Sequence, residues 1–166
     1  MSIFQEYEEN QKLIGFGRIV AIDDYIKYYK ETYNKDFLYS DIVYKQKEYE
    51  LFDKWFEDSL KPFNIINHTD KYYSLILEQV YFDKELFNKN EVNGYDYEEL
   101  IKSYVSDKLS YLENELNFDS EAGMFAVTSK DIKVIEELAY AFNRDLKNKN
   151  YIKLLLQDME LNYEWY

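Results

Sequence analysis

The sequence predicts an α+β fold: helices first, then a β-β-α-β-α order in which an antiparallel or mixed sheet is covered by helices. Three observations lead there. Ahead of Pro62, the only proline of the chain, apolar residues recur at spacings of three and four. From Phe63 they give way to β-branched, aromatic and aliphatic runs. Beyond Asn93 the helical spacing returns twice, separated by one short apolar stretch.

Asp23 or Asp24 starts a short amphipathic helix that reaches Tyr33. From Asp41, the residues Tyr44, Glu48, Leu51, Phe52, Trp55, Phe56 and Leu60 line one face of a second helix. Ser40 is its expected N-cap, and Lys61 with Pro62 its stop. Trp55 and Phe56 read as core rather than as a ligand box. Two strands follow, one over Phe63 and Asn64 to His68 and one over Tyr72 to Phe82, joined as an antiparallel hairpin by Thr69, Asp70 and Lys71. Asn88, Lys89 and Asn90, then Asn93 and Gly94, mark a turn-rich connection.

In the next helix Asp96 caps the first turn, and Glu99 supplies the second carboxylate of a capping-box-like arrangement. Tyr97, Leu100, Ile101, Tyr104, Val105, Leu109, Leu112 and Leu116 form its apolar stripe. Ala122 to Thr128 is short enough for a buried strand, in which Gly123 admits the close approach of another backbone. Thr128 or Ser129 caps the last strong helix, whose Ile132, Ile135, Leu138, Ala139, Phe142 and Leu146 share a face. The tail, Tyr151 to Tyr166, fits a strand or a short helix and is expected to dock on the core.

These elements are expected to form a single domain over 1–166: a helical part over 1–61, an α+β core over 62–147 and a C-terminal segment over 148–166. A chain of 166 residues typically buries roughly 70% of its unfolded surface. It has 46% hydrophobic residues, far from a disordered composition despite a net charge of −13. There is no internal repeat, low-complexity tract or Pro/Gly-rich linker.

Composition narrows the function. With no cysteine, disulfides, thiolate nucleophiles and cysteine-based metal sites are ruled out. The start, Met1 to Glu6, lacks the pattern of a signal peptide, and no segment approaches the roughly 20 apolar residues of a membrane span. A cytoplasmic protein that needs no cofactor is expected. Acids outnumber bases 33 to 20, which argues against phosphate-mediated nucleic-acid binding and for a basic partner. Gly15 and Gly17 are too few, with no preceding strand, for a nucleotide loop. The sole histidine, His68, has no metal-ligand spacing around it and reads as structural. Asp119 and Glu121, two apart, share a face if extended, as a carboxylate pair in a hydrolase would. Nothing else supports an enzyme.

The charge is concentrated. Between Glu91 and Glu121 nine acids face only Lys102 and Lys108, a local net of −7. A concentrated field of one sign steers an oppositely charged partner and accelerates encounter. The 19 tyrosines suit a binding surface, but they also rise with Lys, Asn and Ile under AT-rich coding, so their number decides nothing.

The string Asn93 Gly94 Tyr95 Asp96 Tyr97 Glu98, a helix, then Phe118 Asp119 Ser120 Glu121 Ala122 Gly123 Met124 Phe125 and a further helix resembles the Immunity protein 51 family over roughly 62–147. The resemblance implies a bacterial antidote, encoded beside a toxin of a polymorphic or contact-dependent system, that binds and blocks the toxin domain. Tyr95, Asp96, Glu98, Glu99, Asp119 and Glu121 are the expected contact residues for a basic toxin surface. Asp96 and Glu99 also fit as helix caps, and Asp119 and Glu121 as turn residues. An acidic DNA mimic or another non-enzymatic protein-binding module is the alternative, and the mimic requires carboxylates spaced like phosphates over an extended surface.

Overall fold

The computed structural model describes residues 18–163. The glycines at 15 and 17 and the last three residues of the tail lie outside that range. Among the described residues three helices come first: α1 (Ile22–Tyr33), α2 (Tyr39–Tyr44) and α3 (Gln46–Ser59). Strands β1 (Asn64–His68) and β2 (Tyr72–Glu78) follow, then a 3-10 turn (Gln79–Tyr81) and the short α4 (Lys84–Phe87). Helix α5 (Gly94–Lys108) leads through a second 3-10 segment (Ser110–Glu115) to β3 (Asn117–Phe118) and β4 (Met124–Ser129), and α6 (Ile132–Asp145) and α7 (Lys149–Tyr163) close the order.

The fold is α+β, and its sheet is antiparallel throughout in the order β1-β2-β4-β3. Register places Leu75 opposite Val127 and Leu77 opposite Phe125. All four are fully or almost fully buried, on the face that α5 and α6 cover. One apolar core runs from Ala21 to Leu155. The β1–β2 link is tight, because Thr69 and Asp70 both take positive φ, 56° and 59°, and the Asn67 side chain accepts from the Asp70 N–H at 2.8 Å.

Several boundaries differ from expectation, each for a local reason. The segment from Asp41 is two helices, since Lys45 is extended (φ −117°, ψ 108°). Leu38, not Ser40, precedes the first of them, and its N–H donates to the Asp41 carboxylate at 3.1 Å. Tyr49, Phe52, Phe56 and Leu60 are buried while Leu51 is exposed, so the buried face is narrower than the sequence suggests. Helix α5 begins three residues early, with Asn93 instead of Asp96 as its N-cap. Asn93 Oδ1 accepts from the Asp96 N–H at 3.1 Å and Asp96 Oδ2 from the Asn93 N–H at 2.9 Å, so the reciprocal cap belongs to Asn93 and Asp96, with Glu99 outside it.

The same helix stops at Lys108. Leu109 leaves helical geometry (φ −133°, ψ 39°), and it enters the core from the break and Leu112 from the 3-10 segment. Strand β2 ends at Glu78, so Val80 and Tyr81 lie in a turn. The apolar stretch after the corner joins the sheet only from Met124, which pairs with Glu78 on β2, and its Val127 and Thr128 face the two-residue β3, which periodicity cannot reveal. Asp131, not Thr128 or Ser129, caps α6 by accepting from the Lys133 N–H at 2.9 Å; the Ser129 hydroxyl accepts from the Asp131 N–H. The tail is a helix, and its Ile152 and Leu155 are buried in the core.

Helix α6 is more central than an amphipathic surface helix. Val134, Glu136, Tyr140 and Ala141 are buried along with the expected Ile135, Leu138, Ala139 and Phe142. The helical start supplies the extra cover. Tyr140 stacks on Phe56 at 5.7 Å between centroids, lies 6.1 Å from Trp55, and its hydroxyl donates to Asp24 at 2.6 Å. Arg18 binds Asp53 and Glu57 on α3 and the buried Glu136 on α6, with its guanidinium 4.8 Å from the centre of the Phe56 ring.

Candidate functional site

Strands β3 and β4 meet in a hairpin whose tip is Glu121 to Met124, closed by hydrogen bonds from the Glu121 N–H to the Met124 carbonyl at 2.8 Å and in the reverse direction at 3.2 Å. Two other segments hold this tip. The Gln79 N–H donates to the Gly123 carbonyl at 3.1 Å, and the Gly94 N–H donates to the Ala122 carbonyl at 2.9 Å. The tip therefore sits between the turn after β2 and the first turn of α5. A Cβ at position 94 would lie 2.1 Å from the Glu121 carbonyl oxygen and 2.3 Å from that of Met124, so glycine is required there. At Gly123, the residue expected to admit a close backbone, the Gln79 backbone does approach through its hydrogen bond to the Gly123 carbonyl, but a Cβ would meet only the Gln79 side chain, at 3.6 Å.

The six expected contact residues gather around this junction but do not present themselves alike. Asp96 is committed to the cap of α5 and to an ion pair with Lys89 at 2.7 Å. Glu98 is mostly covered; it lies 3.5 Å from the Lys102 ammonium and accepts from the Ser120 N–H at 3.4 Å. Glu99 shares Lys102 at 3.7 Å. Glu98 ties the helix to the corner, and all three carboxylates meet the protein's own lysines. Tyr95 is half exposed. Asp119 and Glu121 are exposed, and among the described residues neither carboxylate has an ion pair or a hydrogen bond.

Pairing adds a third free acid. Met124 stands opposite Glu78 on β2 and opposite Glu121 across the hairpin, and directly opposed residues project to the same face. Two glutamates thus flank one methionine. Beside them, Val80 is 77% exposed and Tyr81 51% exposed in the turn that bonds to the tip. The sequence reading placed Val80 and Tyr81 inside a strand and so missed them. The available signal was the break in apolar spacing at Glu78 and Gln79.

The same turn is braced from behind. The Asp83 N–H donates to the Tyr97 hydroxyl at 3.0 Å, and the Phe82 ring stacks on Tyr97 at 5.1 Å. Burial pushes the Tyr97 phenol upward, which keeps it neutral as a hydrogen-bond partner. Asp96 also lines an open groove of about 670 Å³ with Leu86, Phe87, Lys89, Leu156 and Met159. Asp119 and Glu121 line neither this groove nor the depression of about 690 Å³ beside Tyr72 and Lys130.

His68 Nε2 lies 2.8 Å from the Ser74 hydroxyl, and its ring stacks on Tyr72 at 4.2 Å, a packing role on the sheet. Among the described residues no group of three or more His, Asp or Glu could hold a metal ion, and no helix is long and apolar enough to cross a membrane.

Much of the acidity is used internally. Tyr104 donates to Asp145 at 2.6 Å, Tyr151 to Asp107 at 2.6 Å, and Tyr111 to Glu137. Among the described residues Glu78, Asp119 and Glu121 at the hairpin tip make no such bond, as is also true of Asp23, Glu31, Glu85, Glu91, Glu113, Glu115 and Asp158 elsewhere.

The model of one family, Immunity protein 51, matches residues 63–161, a span from the start of the sheet to α7 that contains the whole junction. No curated protein and no solved structure matches the chain. With more than half of its length matched, the chain belongs to the Immunity protein 51 family.

Proposed function

We propose that this immunity protein is a non-enzymatic antidote that acts in the cytoplasm, binding one cognate bacterial toxin domain and neutralising it by steric and electrostatic blockade. The family match over residues 63–161 carries the reading. The contact is made by the hairpin tip and the start of α5, with Tyr95, Asp119 and Glu121 facing the partner. Asp96, Glu98 and Glu99 hold the scaffold beneath them, because their charges already meet Lys89 and Lys102. Unpaired carboxylates favour a basic partner and speed its approach in a salt-dependent way. A DNA mimic draws less support, since it needs free, regularly spaced carboxylates, whereas here many acids accept from tyrosines or pair with Arg18, Lys89 and Lys102.

Co-expression with the C-terminal domain of the toxin encoded beside this gene tests the reading. The wild-type chain should relieve growth arrest and co-purify with that domain. The Asp119→Lys, Glu121→Lys double variant should bind roughly tenfold more weakly at low salt. Undiminished toxicity together with no co-purification would overturn the assignment.

A further inference from the structure

We infer that the apolar centre of the partner contact is a triad, Val80, Tyr81 and Tyr95, set around the hairpin tip, with Glu78, Asp119 and Glu121 as its charged rim. This deepens the antidote reading and rests on it. Each of the three side chains is at least half exposed, at 77%, 51% and 50%. They are not on a loose loop: the turn carrying Val80 and Tyr81 and the helix start carrying Tyr95 are both bonded through backbone to the Ala122 and Gly123 carbonyls. Gly94 seats that helix start so closely that a methyl group would collide with two carbonyl oxygens. The turn is locked from behind by Tyr97.

Exposed valine and tyrosine on a rigid support cost solvation in the free protein, and they lose little conformational freedom when a partner covers them. Those two properties mark hot-spot residues, which sit centrally within a polar rim that excludes water. The rim names the partner's chemistry. Glu78, Asp119 and Glu121 have no lysine, arginine or hydrogen-bond partner of their own among the described residues. A surface offering lysines or arginines around an apolar recess satisfies all six side chains at once. The occupant is accordingly the basic face of the toxin domain, with the recess taking Tyr81 and Tyr95.

The test separates the two kinds of residue kinetically. Binding of the purified neighbouring toxin domain is followed by surface plasmon resonance at two salt concentrations, for the wild type and four variants shown by circular dichroism to be folded. The Val80→Ala, Tyr81→Ala, Tyr95→Ala triple should dissociate about 100-fold faster with little change in association rate. The Glu78→Gln, Asp119→Asn, Glu121→Gln triple should instead associate roughly tenfold more slowly and lose most of its salt dependence. Leu154→Ala, which removes an exposed side chain from α7 (60% exposed), should match the wild type. If the wild type binds and the apolar triple changes affinity by less than about threefold, the triad is not the centre and this inference is overturned while the antidote reading stands. If the wild type does not bind, the antidote reading falls and takes the triad with it. Should the single Val80→Asp variant bind as tightly as the wild type, the triad is likewise refuted.

Discussion

Single side chains show why so acidic and tyrosine-rich a chain is stable. Tyr104, Tyr140 and Tyr151 each donate to a carboxylate, Asp145, Asp24 and Asp107, so one phenol both fills apolar space and satisfies an acid that would otherwise repel its neighbours. Burial first, and then the facing carboxylate, pushes the Tyr104 and Tyr140 phenols well above the ordinary tyrosine range. The central Tyr25 is pushed up as well, by burial and then by Glu48. The folded state therefore holds these protons more tightly than the unfolded chain does. Their stabilising contribution is complete below the unfolded value of about 10 and drains away as pH rises past it. Denaturant midpoints should be flat between about pH 8 and 9 and fall steeply above about pH 10, and Tyr104→Phe should make the alkaline fall shallower. A midpoint that does not move above pH 10 would contradict this account.

Among the elements, the start of α5 is the most tightly specified. Asn93 and Asp96 cap each other reciprocally, so Asn93→Ala should cost about 1 kcal/mol, whereas Glu99→Ala should change stability by less than about 0.5 kcal/mol. Gly94→Ala is the more severe change, since the added methyl meets backbone oxygens that cannot rotate away. Roughly 3 kcal/mol of destabilisation is expected, with partner affinity falling alongside, because the displaced elements are the ones that carry Tyr95 and the hairpin tip. Urea unfolding of the three variants ranks them directly. An order with Glu99→Ala worst would reinstate the capping box expected from the sequence.

For the whole molecule, the decisive junction is Arg18 among Asp53, Glu57 and Glu136. It joins the chain ahead of α1 to α3 and α6, across separations of 35, 39 and 118 residues. Burial disfavours its charge, and the facing Glu136 and Asp53 more than offset that, holding the guanidinium above its usual range. Glu136, with 8% of its surface exposed, is itself pushed up by burial although Arg18 draws it down. Arg18→Ala leaves that carboxylate buried beside the like charges of Asp53 and Glu57, and should cost about 3 kcal/mol. The Arg18→Met, Glu136→Leu double should recover most of the loss, because replacing both partners removes the stranded charge. Thermal melts of the single and the double variant decide it; a double variant as unstable as the single would mean that packing, not charge, is lost.

Local chemistry decided the main helices and the β1–β2 hairpin, but not the break at Lys45, the short β3 or the helical state of the tail. Periods of 3.6 and 2 and the turn residues around Thr69, Asp70, Asn93 and Gly94 are properties of adjacent residues, and the family string from Phe118 to Phe125 is equally local. The caps were legible in type but displaced in position, since Asn, Asp and Ser compete for the same backbone donors and the docking of Gly94 on the hairpin chooses among them. Leu51 could not be told from Leu60 by spacing, because both lie near one helical face and only the neighbouring helices settle which is covered. The site divided in the same way. Tyr95, Asp119 and Glu121 were readable as exposed, turn-proximal residues, but the pairing of Asp96, Glu98 and Glu99 with Lys89 and Lys102 and the company of Glu78, Val80 and Tyr81 arise from contacts between segments distant along the chain. Sequence determined how many charges there are and which elements bear them; tertiary structure alone decided which of those charges remain free, because neutralisation depends on distance in space and not on separation along the chain.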